Sequence, residues 1–470
     1  MFATAFKTDS GLMKLFELTG EKPEYDEKTL IKKTGIKNIG EGRSRLRKLL
    51  FKAMRSYNED VSVRQQLRDT ASDVEFLERK KLEGEARKEV NKGLKLAEKN
   101  EEFMLQSAML EMAGRNLETK VKPDVIFSHL ATLQEEVDHA LTEGAHLLQA
   151  NMISYQITAI MGSIDFSSTS EIAALTAVVR TRIRKLLPLV KTPYTRIYLL
   201  TMYIFCDDET DFSEEQCAEV LSIYQGDPTL ILRDPFMYDR FLQTYCRKIA
   251  WEKEYKAVAY DLIQKIEANQ KAHSAFFRQY PERLPKMQRK KTMLKLTYCR
   301  THQAWDALSD LEGEIEQDLA MDPGKEYIRK AANLSLFISC LYFSGDYAKT
   351  LEWINVFYAL PEASFRKPLM IGIRMIEAFT FHRLRQFDLS KNKAMNLYKT
   401  IAEQHYADEY HKHISTVLRK LNTWNLKLDS DLAEIKELAA NFALLGQHDD
   451  KQYLNYFSVL HPEAMLEGLL

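Results

Sequence analysis

CLYFSGDYAKTLEWI, residues Cys340–Ile354, contains the turn whose reading decides the fold. Upstream of it Leu334, Phe337, Ile338 and Leu341 fall at i, i+3, i+4 and i+7, which is one face of a helix. Gly345 supplies a permissive backbone where that helix has to stop. Leu351, Ile354 and Phe357 give a second helix its own apolar stripe, and Pro361 closes it. Tyr347 sits in the turn, where a large ring can wedge between the two helices. The result is a helical hairpin of the tetratricopeptide (TPR) type, in which neither helix can bury its face without neighbours.

The same layout recurs along the chain. Phe212, Tyr255, Trp305, Tyr347 and Phe387 occupy matching turn positions, separated by 43, 50, 42 and 40 residues. This period exceeds the roughly 34 residues of a compact TPR, so longer helices or linkers are expected. Glu78–Glu118 reads as a further hairpin with weaker turn chemistry, and Pro123–Gly162 as one long helix or two. Asp429–Phe457 is expected to form a last hairpin that caps the stack. The expected fold is therefore all-α, a TPR-like α-solenoid of antiparallel hairpins with a small helical N-terminal element. Its expected divisions are a basic element at 1–60, the solenoid at 61–420 and a helical cap at 421–470.

Composition agrees with this reading. Gly (17) and Pro (12) are scarce in 470 residues, as suits helices joined by short turns rather than strands joined by tight ones. The five cysteines are far apart, odd in number and without a C-x-x-C pair. That argues against a disulfide framework or zinc site and for buried thiols in a reducing compartment. No basic stretch followed by a long apolar core opens the sequence, and no run approaches the ~20 apolar residues that span a bilayer. A cytoplasmic protein with no membrane partner is expected. Net charge is −1, but it is unevenly placed: Lys22–Arg55 holds eleven Lys/Arg against four Asp/Glu, and Arg278–Arg300 eight against one. The ordinary origin of such alternation is a solvated helix surface.

Tyr25–Lys33 (YDEKTLIKK) and Arg43–Phe103, with its S-Y pair, Q-L-R segment and K-A-x-K-x-A-E-like hairpin, carry a further signal. Together they resemble a family of uncharacterised TPR-like helical-repeat proteins of Bacteroidota. The resemblance covers about the first 120 residues and, more loosely, the solenoid beyond them. It implies a helical-repeat fold and a bacterial cytoplasmic setting, and it lends no catalytic residue.

Metalloprotease, P-loop and nucleophile-elbow motifs are all absent from the sequence. No enzyme activity, cofactor or metal is expected. Asn38–Arg45 (NIGEGRSR) is glycine-rich, and amides of Gly40, Gly42 and Arg43 at a helix start would suit a phosphate; an ordinary loop is the competing reading. The same region suggests a DNA-binding helix-turn-helix, with Thr29–Thr34 as first helix, Gly35 in the turn, and Glu41–Tyr57 carrying Arg43, Arg45, Arg47 and Lys48. Against this stand a gap longer than the usual 3–4 residues and a Leu46/Leu49/Leu50/Met54 stripe that would simply pack the helix. Glu136/His139 with Glu143/His146, and His405/Asp408/Glu409/His411/His413, are candidate metal clusters, though each is more simply a solvated helix face. Arg247, Asn333 and Arg374 are candidate groove residues by helix position. The expected function is a non-enzymatic scaffold binding a protein or peptide, with a nucleic-acid-contacting regulator as the alternative.

Overall fold

A computed structural model describes residues 12, 14–16, 18, 27–36, 38–58, 63–117, 122–163, 169–206, 214–250, 252–278, 283–320, 327–360, 367–403, 409–421, 423–424, 428–447 and 462–469. The chain is all-α, and no strand occurs among the described residues. Two compact units divide it, residues 1–149 with 190–192, and residues 150–189 with 193–470.

The first unit begins with α1 (Glu27–Thr34) and α2 (Ile39–Asn58), followed by α3 (Val63–Arg79), α4 (Glu83–Lys99) and α5 (Phe103–Arg115). Helix α6 (Pro123–Ser163), whose residues from 150 on are counted with the second unit, runs unbroken, so the pattern that allowed one helix or two forms one. Leu12, Leu15, Leu30, Ile39 and Leu46 form one apolar cluster, and Val74, Ala86, Val90, Met109 and Met112 a second between α3, α4 and α5. Gly93 allows that second cluster to close. A Cβ there would lie 2.9 Å from Met109 Sδ and 3.2 Å from Thr70 Cγ2.

The second unit holds α7 (Thr169–Leu186), α8 (Pro193–Cys206), α9 (Glu214–Gly226), α10 (Pro235–Ile249), α11 (Lys256–Ala272), α12 (Leu284–His302) and α13 (Leu308–Ala320). It continues through α14 (Tyr327–Ser344), α15 (Tyr347–Tyr358), α16 (Lys367–Arg383), α17 (Phe387–Glu403), α18 (Glu409–Lys420), α19 (Asp429–Gln447) and α20 (Pro462–Glu467). Packing here follows a simple rule. The helices pair as α10/α11, α12/α13, α14/α15 and α16/α17; the second helix of each pair meets the first of the next, and α10, α12, α14 and α16 touch in succession. One apolar cluster runs through α8–α12 and another from α12 to α20, the latter including Phe337, Phe357, Phe379, Phe442 and Leu466.

The Gly345–Asp346 turn explains how so little chain reverses direction. Gly345 takes φ +87°, and its N–H donates to Tyr342 O while that of Asp346 donates to Leu341 O at 3.1 Å. These two bonds satisfy the last carbonyls of α14. Asp346 then caps α15, its carboxylate accepting from Lys349 N–H at 3.1 Å. Among the described residues the same left-handed geometry also occurs without glycine, at Lys81, Glu101, Gln303 and Arg385. Of the ring anchors, Tyr255, Trp305 and Tyr347 are partly buried against the core, whereas Phe387 is 51 % exposed and meets His382 edge-on. Phe212 lies outside the described residues, as does the second helix of the expected final hairpin.

Candidate functional site

The basic N-terminal pair differs from the sequence expectation in where its second helix begins. Glycines at 40 and 42 suggested a loop, yet α2 starts at Ile39, because Asn38 Oδ1 accepts the Glu41 N–H at 3.1 Å and Asn38 O accepts that of Gly42 at 3.0 Å. Four residues, 35–38, therefore join α1 to α2. The long gap expected from the sequence does not exist.

The turn itself is tied at both ends. Gly35 adopts φ +73° and its N–H donates to Ile31 O, while the Thr34 hydroxyl donates to Leu30 O and accepts from Ile36 N–H. Gly42 is buried, and a Cβ there would meet Ile36 Cγ2 at 3.0 Å and Leu15 Cδ2 at 3.4 Å. Its lack of a side chain thus serves packing between α2 and the turn, which accounts for the glycine without a phosphate. Leu46 is buried and Leu49 and Leu50 are half-buried, so that part of the expected apolar stripe faces inward; the side chain of Met54 lies outside the described residues. Arg43, Arg45, Arg47 and Lys48 are all exposed on the rest of α2.

The three candidate groove residues have different fates. Asn333 is buried, and its amide donates to Arg289 O at 2.9 Å, tying α14 to α12. Arg247 is half-buried, with its guanidinium 4.6 Å from the Phe205 ring centroid. Arg300 also stacks on a ring one hairpin on, 3.3 Å from the centroid of Phe343, and burial lowers its pKa to about 10. Arg374 lines a cavity of about 330 Å³ with Tyr358, Glu377, Lys393, Asn396 and Leu397. Within it the buried Glu377 carboxylate accepts from Tyr358 Oη at 2.9 Å and Lys393 Nζ at 2.6 Å, and desolvation together with that carboxylate pushes the Tyr358 phenol up.

Sequence reading missed a set of buried charges. Asp239 is fully buried and accepts from Gln243 Nε2 at 2.6 Å and Gln270 Nε2 at 3.0 Å. Burial pushes its carboxyl up to about 7, despite the opposing pull of Gln270, Asn269, Lys290 and Lys291. Gln270 also lines a second cavity, of about 370 Å³, with Glu267, Lys271, Phe277, Arg278 and Lys291. Asp318 pairs with Arg289 inside the same unit, and Lys295 bridges Glu267 of α11 and Glu314 of α13. A signal for these did exist. Asp239 lies at i−3, i−7 and i−10 from Leu242, Cys246 and Ile249, and Asp318 extends the Leu308/Leu311/Ile315 stripe in the same way.

Of the two candidate metal clusters, the first divides between the helix surface and the interior. Glu136 and His139 are exposed, while Glu143 is buried, accepting from Thr192 Oγ1 at 3.2 Å with His146 Nδ1 at 3.6 Å. In the second cluster His405 and Asp408 and the side chains of Glu409 and His411 lie outside the described residues; His413 packs on Phe442. Among the described residues no group of three or more His, Cys, Asp or Glu gathers to hold a metal. Nor is any described helix long and apolar enough to cross a membrane. All five cysteines are buried, and none is in a disulfide. No family model, curated protein or solved structure matches the chain.

Proposed function

We propose that the hairpins from α8 to α18 form a TPR-like α-solenoid, and that the protein is a non-enzymatic cytoplasmic scaffold holding a protein or peptide partner. The observation that carries this reading is the nearest-neighbour packing of α10, α12, α14 and α16, each with its own second helix. Helices related in this way place equivalent positions in a row, which gives a surface long enough for an extended or helical peptide. Arg247 on Phe205 and Arg300 on Phe343 recur along that row near the helix ends. Arginines preorganised by aromatic stacking are among the side chains that dominate interface energetics. Five buried cysteines outside any disulfide suit a reducing compartment.

The test is a peptide-display selection against the full chain, repeated with Arg247→Ala and Arg374→Ala. Selected sequences should share a pattern and lose at least tenfold in affinity for one or both variants, whose helix content stays unchanged. No reproducible binder, together with a measurable turnover of any small molecule, would sink the reading.

A further inference from the structure

We propose that α1 and α2 form a helix-turn-helix that docks on double-stranded DNA, with α2 entering the major groove. Three independent observations converge on this surface, and none of them involves the hairpins of the second unit.

The first is the connection. Helices in this motif are joined by roughly three to four residues with a glycine in the turn. Here four residues join them, Gly35 supplies the left-handed residue, and Thr34 locks the backbone on both sides. The second is the support beneath α2. Ile39 and Leu46 bury against Leu12, Leu15 and Leu30, and Gly42 lets Ile36 approach the helix axis closely. A helix anchored along one side by a small apolar core is held rigidly while its opposite side stays exposed.

The third is the chemistry of that exposed side. Lys32 and Lys33 on α1 and Arg43, Arg45, Arg47 and Lys48 on α2 are exposed, against Glu41 as the one exposed acid described on the pair. At about 100° per residue Ser44 and Lys48 lie roughly opposite Leu46, with Arg45 and Arg47 about 100° to either side of it and Arg43 about 60° away, at the edge of the apolar side. An α-helix fits the major groove of B-form DNA, arginine pairs bidentately with guanine edges or phosphates, and lysine neutralises phosphates. The narrow major groove of an RNA duplex does not admit such a helix.

The experiment is fluorescence anisotropy of the full chain with a labelled mixed-sequence DNA duplex of about 30 base pairs, at ~50 and ~200 mM salt. Single-stranded DNA and duplex RNA of the same sequence run in parallel. With about four phosphates neutralised, affinity should fall on the order of 100-fold between the two salt concentrations. Arg43→Ala/Arg47→Ala should weaken binding at least tenfold and lower the salt slope by about two. Lys88→Ala/Lys92→Ala, which removes the same charge from exposed positions on α4, should leave binding within about twofold. Arg45→Ala/Lys48→Ala provides a second test should the first pair of changes disturb helix content. The proposal is overturned by absence of duplex binding at ~50 mM salt, by equal losses in the α2 and α4 variants, or by binding to single strands or RNA as tight as to duplex DNA.

Discussion

Replacing Asp239 with Asn tests how the interior of the second unit handles a carboxyl group. Burial raises this acid from its ordinary 3.8 to about 7. Below about pH 4 folded and unfolded chains both hold the proton, and Asp239 then has no effect on stability. Between about pH 4 and pH 7 the unfolded chain has released it while the folded chain keeps it. Stability therefore falls as pH rises, by up to about 1.4 kcal/mol per unit. Above about pH 7 both are ionised and the folded state carries the full cost, about 4 kcal/mol as a ceiling. An asparagine removes that charge. It also replaces one acceptor with a donor facing Gln243 or Gln270, at about 1 kcal/mol unless that glutamine flips its amide. Asp239→Asn should thus be slightly destabilising near pH 4, slightly stabilising near pH 5 and stabilising by about 3 kcal/mol at pH 8. Urea titration followed by tryptophan fluorescence suits the measurement, since Trp251, Trp305, Trp353 and Trp424 all belong to the second unit. Taking the difference between variant and wild type at each pH cancels the other titrating groups. A difference that stays flat from pH 5 to pH 8 would refute the assignment of Asp239 as a desolvated acid.

Asp318→Ala leaves the buried Arg289 guanidinium without its ion pair and should cost about 3–5 kcal/mol in the same urea assay, with Arg289→Met/Asp318→Leu recovering most of the loss. Gly345→Ala forces an L-residue into φ +87° and should cost about 1–2 kcal/mol, read as a lower thermal midpoint. Burial holds the thiols of Cys206 and Cys299 at about 11 and Cys246 at about 12, so a thiol reagent at pH 8 should label none of the five cysteines in the folded protein and all five in urea.

Part of this molecule could be read from sequence because its helices are amphipathic and its apolar stripes are clean. Leu334, Phe337, Ile338 and Leu341 announce α14, and all four are buried. The start of α2 was hidden because two glycines within four residues suggest a loop, and nothing local shows that Gly42 is needed for its closeness to Ile36. Asp239, Asp318 and Glu377 escaped notice because charge is ordinarily taken as surface, although each sits on an apolar stripe. Partners brought by other helices, Gln270, Arg289, Tyr358 and Lys393, make their burial tolerable. The ring anchors give a mixed lesson. Equal spacing placed Tyr347 and Phe387 alike, but the first packs on Tyr342 while the second faces solvent.

The left-handed turns at Lys81, Glu101, Gln303, Gly345 and Arg385 also bear on how the chain reaches its structure. At Gly345 the bonds that close the turn, from Leu341 to Lys349, all lie within nine residues. Such contacts have low order, and closing so short a loop costs little chain entropy. Each hairpin can therefore form early and on its own, waiting only for a neighbour to cover its apolar face. Folding then has several equivalent starting points along the chain, and a lesion in one turn delays its own hairpin without stalling the others.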